Sequence, residues 1–447
     1  MLDALHRHLV QPLVALKRRS RHLDDLRRLE RSQYDSPAEV RATQFAMLRD
    51  TLRHAYDTVP YYRAAWDAAG VRPDDVATLD DLARLPVLTK ADIRRHNDAL
   101  VSTAFDKATL RVKTTSGSTG VPLKIYLDER GAQWKTAATL RADEWSGWRR
   151  GQRVAKVWGN PEYKHHGLRG RLVNAVVDRA IYLDTIQLND DRIREFVAAL
   201  RRHRPGLVFG HAHSLYLVAC RLRAMGVDDI RPNGVISTAM PLHSWQRTVI
   251  EQVYGVPATN RYGCEEVSLI ACECERHAGL HVAAESVYTE VEPDGRLLVT
   301  DLSNFAMPLI RYRIGDVVTT SLTPCPCGRG LPLLASVEGR DADYVLTPAG
   351  NLISGISLTE NFATKVPGTA QLQIVQETRT RLLLRLVRDE HFTEASRRKI
   401  ASLVLELFGP AMTVETEFVD AIAQEPSGKY RFCVSKVATD HLRGLSA

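Results

Sequence analysis

Four short apolar runs decide the fold class: RVAKVWG (153–159), GLVFG (206–210), NGVIST (233–238) and VPATNRYG (256–263). Each is rich in β-branched or aromatic residues and bordered by Gly, Pro or Asn, the signature of short buried strands. Between the last three lie stretches at 212–225 and 243–254 with helical apolar spacing. Strands alternating with helices imply parallel βαβ units. Downstream, SVYTEVE and RLLVTDL flank Pro293-Asp294-Gly295, which predicts a β-hairpin over 285–300 within a mostly β region reaching about 339. Beyond Gly339-Arg340, the segments QLQIVQE, RLLLRLVR, a helix over about 392–408 and MTVETEFV predict a small α+β unit. Upstream, Leu9, Leu13, Leu23, Leu26, Phe45, Leu48, Leu52 and Tyr56 recur at three- and four-residue spacing and predict helices, and Thr89 with Asp92 has the form of a cap on a further short helix. The expected architecture is α/β: a large multi-subdomain N-terminal domain over 1–339, helical over about 1–100, and a small α+β C-terminal domain over 340–447.

The chain has 447 residues, enough for at least two folding units. Its 44% apolar and 25% charged content, with Gly 27 and Pro 20, excludes collagen-like and disordered classes. No run of eighteen apolar residues occurs, and charges interrupt the opening MLDALHRHLVQPLVALKRRSRHL, so neither a membrane-inserted protein nor a secretory leader is expected. The net charge of +7 arises from 60 basic and 53 acidic residues, intermixed along most of the chain. That balance suits a phosphate-handling enzyme better than a nucleic-acid stripe; even the densest basic stretch, Lys17 to Arg31, carries Asp24, Asp25 and Glu30. Seven Cys, four of them in two Cys-x-Cys pairs, favour a reducing cytoplasmic location and a metal over a disulfide framework.

The segment Lys113-Thr-Thr-Ser-Gly-Ser-Thr-Gly-Val-Pro-Leu-Lys124 has the chemistry of a phosphate loop. Gly117 and Gly120 allow backbone N–H groups to converge on an anion, Ser116, Ser118 and Thr119 supply hydroxyls for phosphate or Mg²⁺, and Lys124 neutralises charge. Its spacing fits neither a Walker loop nor a dinucleotide fingerprint. A Ser/Gly surface loop would read similarly.

A co-linear series of motifs resembles the adenylate-forming superfamily of acyl-CoA ligases, and within it the phenylacetate–CoA ligase and CapK-like branch. The series runs from VPYYRAAWDAAG at 59 and LPVLTKADIR at 85 through TTSGSTGVPLKIY at 114, RYGCEE at 261, NFAMPLIRYRIGDVV at 304 and EGRDADYV at 338 to SGKYRFCVS at 427. The resemblance implies that ATP and a carboxylate, here a small aromatic or arylalkyl acid, form an acyl-adenylate and pyrophosphate, after which an acceptor displaces AMP. CoA is the expected acceptor; an amine or a carrier-protein thiol is the alternative, and a zinc-stabilised nucleotide-binding protein without turnover is an alternative of another class. By the resemblance Tyr262 packs on adenine, Glu266 binds the Mg²⁺ of ATP, and Asp316 accepts from the ribose hydroxyls. Arg340 lies near phosphate or ribose, Asp343 is the hinge, and Lys429 bridges carboxylate and ATP. Lysine is absent from 165 to 364, which makes Lys429 after its glycine more telling. Glu265 stands where many relatives carry Ser or Thr, and Ala239-Met240 where many carry Gly-Glu, with Ala239 beside the adenine. His211 and His213 open a helix that in the family borders the acyl pocket; a cap or packed histidine pair is the plainer reading of the same residues.

Cys272, Cys274, His277 and His281, with Cys325 and Cys327 fifty residues on, supply the donor types of a tetrahedral zinc site, although Cys-x-Cys is tighter than the common Cys-x-x-Cys. The resemblance selects Cys274, His281, Cys325 and Cys327 for a structural zinc, with Cys272 and His277 in reserve. Trp134, Trp145, Trp148 and Trp158 are expected to be core aromatics.

Overall fold

The computed structural model describes residues 2–114, 123–158, 167–185, 189–338, 344–355, 358, 362, 365–422 and 433–438. A hairpin of β1 (Arg111–Thr114) and β2 (Lys124–Leu127) precedes the main sheet. The first of the quoted runs gives β3 (Val154–Trp158), followed by β4 (Ala180–Asp184). The other three give β5 (Leu207–His211), β6 (Gly234–Thr238) and β7 (Ala258–Cys264). These five pair in parallel in the order β7-β6-β5-β3-β4. Helices Asp190–His203, Ala212–Ala224 and Ser244–Tyr254 connect them and bury Ile193, Phe196, Leu215, Val218, Val249 and Ile250 against Ala155, Val157, Val208 and Val235.

The sheet does not stop at β7. It continues through β8 (Ser268–Glu273), β9 (Leu280–Val282), β10 (Val287–Val291), β11 (Arg296–Asp301), β12 (Tyr312–Ser321) and β13 (Leu333–Glu338) in antiparallel pairing, making eleven strands in all. The β10–β11 hairpin turns at the expected Pro293-Asp294-Gly295. Helices Pro37–Thr58 and Pro60–Ala69 cover this half, burying Leu48, Leu52, Tyr62 and Trp66 with Val287, Leu297, Val299 and Tyr312. Ser36 caps the first of them, with Glu39 closing a capping box and Pro37 at its first position. The predicted Thr89–Asp92 box starts helix Lys90–Arg95.

Helix His22–Ser32 buries Leu23, Leu26 and Leu29, as its spacing predicts. It is tied to helix Glu129–Glu144 through Arg141, which donates to the Leu29 carbonyl oxygen at 3.1 Å and to Glu285 in two bonds of 2.7 and 3.0 Å. Leu9 and Leu13 depart from the prediction, since both are exposed although their helical spacing is correct. Trp134, Trp145 and Trp148 are buried, and Trp158 is half-buried at the C-terminal end of β3.

The last part of the chain forms a separate sheet, β18-β17-β16-β19, from β16 (Thr369–Thr378), β17 (Arg381–Arg388), β18 (Thr413–Phe418) and β19 (Cys433–Ser435), with helix Glu394–Phe408 on its face. Between the two sheets lies a hairpin of β14 (Tyr344–Leu346) and β15 (Leu352–Ser354). Strand alternation divides it: Tyr344, Leu346 and Leu352 join the core under helix Ala212–Ala224, while Val345 and Ile353 join the core of the second sheet.

Candidate functional site

The parallel strands end at Trp158, His211, Thr238 and the 261–266 segment, the edge at which α/β sheets bind ligands. Here the Tyr262 hydroxyl donates to Asp316 Oδ2 at 2.8 Å, so two of the motif residues, 54 positions apart, meet directly. The turn that brings them there depends on Gly263, where a Cβ would stand 2.3 Å from the Ser268 carbonyl oxygen. Four residues after Tyr262, buried Glu266 accepts from the Tyr312 hydroxyl at 3.1 Å and lies 3.9 Å from Lys90 Nζ. Glu265 beside it is exposed, as a solvated acid should be, with Lys113 Nζ at 3.9 Å. Lys113 also donates to Ser268 Oγ at 3.0 Å. Since Thr114 pairs with Lys124, this hairpin holds both ends of the hydroxyl-rich loop beside the 262–268 turn. Ser116, Gly117, Ser118, Thr119 and Gly120 themselves lie outside the described residues, as do Arg340, Asp343 and Lys429.

At the end of β6, Ala239 has φ +67°, a left-handed conformation that favours glycine and costs a residue with a side chain about 1 kcal/mol or more. Thr238 fixes the approach by donating to the Arg261 carbonyl oxygen at 2.9 Å. Tyr312 and Lys90, which hold Glu266, are neighbours that spacing alone did not single out. Both sit inside motifs quoted above, and that is the only sequence signal for them.

The two histidines separate. His211 is fully buried, its ring centroid 3.8 Å from that of Trp158, and neither ring nitrogen has a hydrogen-bond partner among the described residues. Burial pushes its pKa down to about 4, so the ring is neutral at ordinary pH. His213 instead stacks on Tyr344 at 4.2 Å, whose hydroxyl accepts from Gln246 Nε2 at 3.3 Å. It packs helix Ala212–Ala224 against the β14–β15 hairpin. Lys124 is exposed at the start of β2, and Asn97 Nδ2 donates to its carbonyl oxygen at 2.8 Å.

A second cluster lies across the sheet, at the junction of β8, β9 and the β12–β13 connection. One ligand atom each from Cys274, His281, Cys325 and Cys327 falls within 4.8 Å of every other. Cys274 Sγ is 3.7 Å from Cys325 Sγ, and Cys327 Sγ is 3.3 Å from His281 Nε2. Backbone N–H groups of Arg276 and Arg329 donate to the Cys274 and Cys327 sulfurs at 3.4 and 3.5 Å. Gly279 permits the tight entry into β9, because a Cβ there would stand 2.3 Å from Leu333 Cδ2. The reserve residues are elsewhere: Cys272 Sγ contacts the Ala142 carbonyl oxygen at 3.9 Å, and His277 Nδ1 faces Glu273 Oε2 at 3.1 Å. Burial pushes the Cys274 thiol up to about 12, so a thiolate here needs a compensating cation. Three sulfurs and an imidazole in this proximity suit zinc. Arg329 walls the cluster, paired with Glu275 and lying 4.8 Å over the Trp145 ring.

The family model described as the CapK C-terminal domain matches residues 345–436. The phenylacetate-coenzyme A ligase of Aromatoleum evansii is 30% identical over 349 residues, covering 73% of this chain and 76% of the relative. Protein CapK of Staphylococcus aureus is 22% identical over 373 residues, covering 80% and 81%. Among solved structures, 2-hydroxyisobutyryl-CoA ligase in complex with 2-HIB-AMP and CoA has the same fold, with a TM-score of 0.59 at 22% identity over 91% of this chain and 92% of that one. The chain belongs to the phenylacetate–CoA ligase family of adenylate-forming enzymes, the branch that includes CapK.

Proposed function

We propose that this AMP-forming ligase condenses a small aromatic or arylalkyl carboxylic acid with ATP, giving an acyl-adenylate and pyrophosphate, and then passes the acyl group to the thiol of CoA with release of AMP. The observation that carries this reading is the Tyr262–Asp316 bond at the sheet edge, with Glu266 held beside it by Tyr312 and Lys90. A carboxylate has about four lone-pair sites, so the bond from Tyr262 orients Asp316 and leaves acceptor capacity for the ribose hydroxyls. The Tyr262 ring and the segment at Ala239 then flank the adenine. Glu266 is the carboxylate for the Mg²⁺ that accompanies ATP, and Ser116, Gly117, Ser118, Thr119, Gly120 and Lys124 take the phosphates. Attack of a carboxylate on the α-phosphate brings two anions together. Lys429 bridges them, Arg340 lies near phosphate or ribose, and rotation of the small domain about Asp343 brings Lys429 in and out. His211, beneath Trp158, borders the acyl group. Zinc held by Cys274, His281, Cys325 and Cys327 is structural, since four protein donors leave no open coordination position.

The test is pyrophosphate release from ATP and Mg²⁺ across a panel of carboxylates, with and without CoA or an amine. We expect acid-dependent release near one equivalent without acceptor, and repeated turnover with CoA for one aromatic or arylalkyl acid. Turnover with an amine but not CoA would reassign the acceptor, and no acid-dependent release across the panel would overturn the reading.

A further inference from the structure

The first helical stretch of the chain turns its leucines outward. Helices Leu2–Leu5 and Gln11–Lys17, joined by a wider turn at His6–Val10, carry Leu2, Leu5, Leu9, Leu13 and Leu16 at intervals of three and four residues, which places them on one face. These leucines are 68, 51, 50, 55 and 76% exposed, while the buried positions of the stretch are His6 and Ala15. The stretch docks largely through polar contacts. His6 Nε2 bonds the Val177 carbonyl oxygen at 2.9 Å, and Arg179 pairs with Asp3 at 2.8 Å. The helical segment it docks on, Gly167–Val173 and Asn174–Asp178, in turn exposes Leu168, Leu172 and Val176 at four-residue spacing. These two touching elements hold eight of the fourteen exposed large hydrophobic residues among those described, so the exposure is concentrated rather than scattered.

Charge identifies what covers this face. Residues 2–21 carry Arg7, Lys17, Arg18, Arg19 and Arg21 against the single acid Asp3, and Asp3 is already paired with Arg179. Lys17, Arg18, Arg19 and Arg21 are exposed immediately after Leu16, and Arg169 and Arg171 are exposed beside Leu168 and Leu172. A second copy of the chain on this face would bring the same basic flank against itself. An anionic lipid surface accepts leucines into the acyl boundary and the flanking cations against its headgroups. We propose that this face adsorbs to anionic membranes, with the leucine row lying in the plane of the interface. This is adsorption and not a span, since no helix among the described residues is long and apolar enough to cross a bilayer.

The test is flotation of the whole protein with vesicles of equimolar phosphatidylglycerol and phosphatidylcholine, and with phosphatidylcholine alone, at about 0.1 M salt. Binding to the anionic vesicles only is expected. The combined variant Lys17→Gln, Arg18→Gln, Arg19→Gln should weaken it about a hundredfold, and Leu9→Ser with Leu13→Ser about tenfold or more. Because these side chains point outward, melting temperature and pyrophosphate release should match the parent protein, which separates this idea from the ligase reading. Absence of binding to anionic vesicles would overturn it. So would a dimer in light scattering that Leu9→Ser with Leu13→Ser dissociates while vesicle binding persists unchanged.

Discussion

The two side-chain clusters of this molecule are built on opposite plans. Cys274, His281, Cys325 and Cys327 are packed so that four ligand atoms lie within 4.8 Å, with two sulfurs already accepting backbone N–H bonds. That donor set could hold a metal ion. At the other site, Tyr262 and Asp316 are half-buried, joined by one bond, and Glu266 is steadied by a hydroxyl and an ammonium. Its carboxylates suit hydroxyl donors on one side and a divalent cation on the other. Filled by a cation, the closed cluster would hold the chain together; an edge of oriented acceptors would leave work for a substrate to finish.

If this contrast is right, the largest effect comes from breaking the closed cluster. Cys325→Ser should remove a bound zinc, about one per chain, and cost several kcal/mol of folding stability, because metal binding at such a site is itself folding free energy. Elemental analysis and denaturant unfolding of parent and variant measure both. A metal-free parent of equal stability would erase the distinction between the clusters. The reactive site should respond in the opposite way. Lys429→Ala is expected to leave the melting temperature unchanged while slowing adenylate formation by about a thousandfold, roughly 4 kcal/mol of transition-state stabilisation. Synthetic acyl-adenylate should still react with the acceptor at a near-parental rate, and equal slowing of both half-reactions would deny Lys429 its specific role.

His211 sharpens the comparison at intermediate size, as a fully buried ring at the strand ends whose pKa is lowered by burial. Burial holds its pKa near 4 when folded, whereas the unfolded imidazole titrates near 6.5. Between these values the unfolded chain takes up a proton that the folded chain refuses, so stability falls as pH drops from 6.5 to 4, by up to about 3 kcal/mol from this group. His211→Gln should flatten that part of the profile in urea unfolding at a series of pH values. An unchanged slope would mean the ring protonates in the folded state.

Much of this could be read without coordinates, and what could not has identifiable causes. The strand runs at 153–159, 206–210, 233–238 and 256–263 announce themselves because buried parallel strands are continuous apolar runs. Their union with the later antiparallel strands in one sheet was not legible, since pairing partners are set by register across long separations. The resemblance names His281 over His277 where spacing alone does not, and register separates them: β9 pairs with β13, Leu333 opposite His281, whereas His277 lies before β9 and faces Glu273. Leu9 and Leu13 show the limit of periodicity. Spacing predicts the helix correctly for them and for Leu23 and Leu26 alike, but whether a neighbour arrives to bury the apolar face is decided by tertiary packing, and only the second pair finds one. The strained backbone at Ala239 is also invisible in an alanine.

The smallest effect expected is on nucleotide affinity at the open site, and it discriminates best between a ligand-completed edge and a structural bond. Asp316→Ala removes an acceptor whose partner Tyr262 is half-exposed and can turn to water, so little folding stability should be lost. The ribose hydroxyls lose a charge-assisted acceptor, worth about 1–3 kcal/mol, so ATP affinity should fall by roughly tenfold to a hundredfold in calorimetric titration. Tyr262→Phe is the control. It keeps the ring for adenine and deletes only the hydroxyl that orients Asp316, so its loss of ATP affinity should be smaller than that of Asp316→Ala. If instead Tyr262→Phe and Asp316→Ala destabilise the fold equally and leave ATP binding untouched, the Tyr262–Asp316 bond belongs with the closed cluster as a structural tie, and the acceptor for ribose must be sought elsewhere along the strand ends.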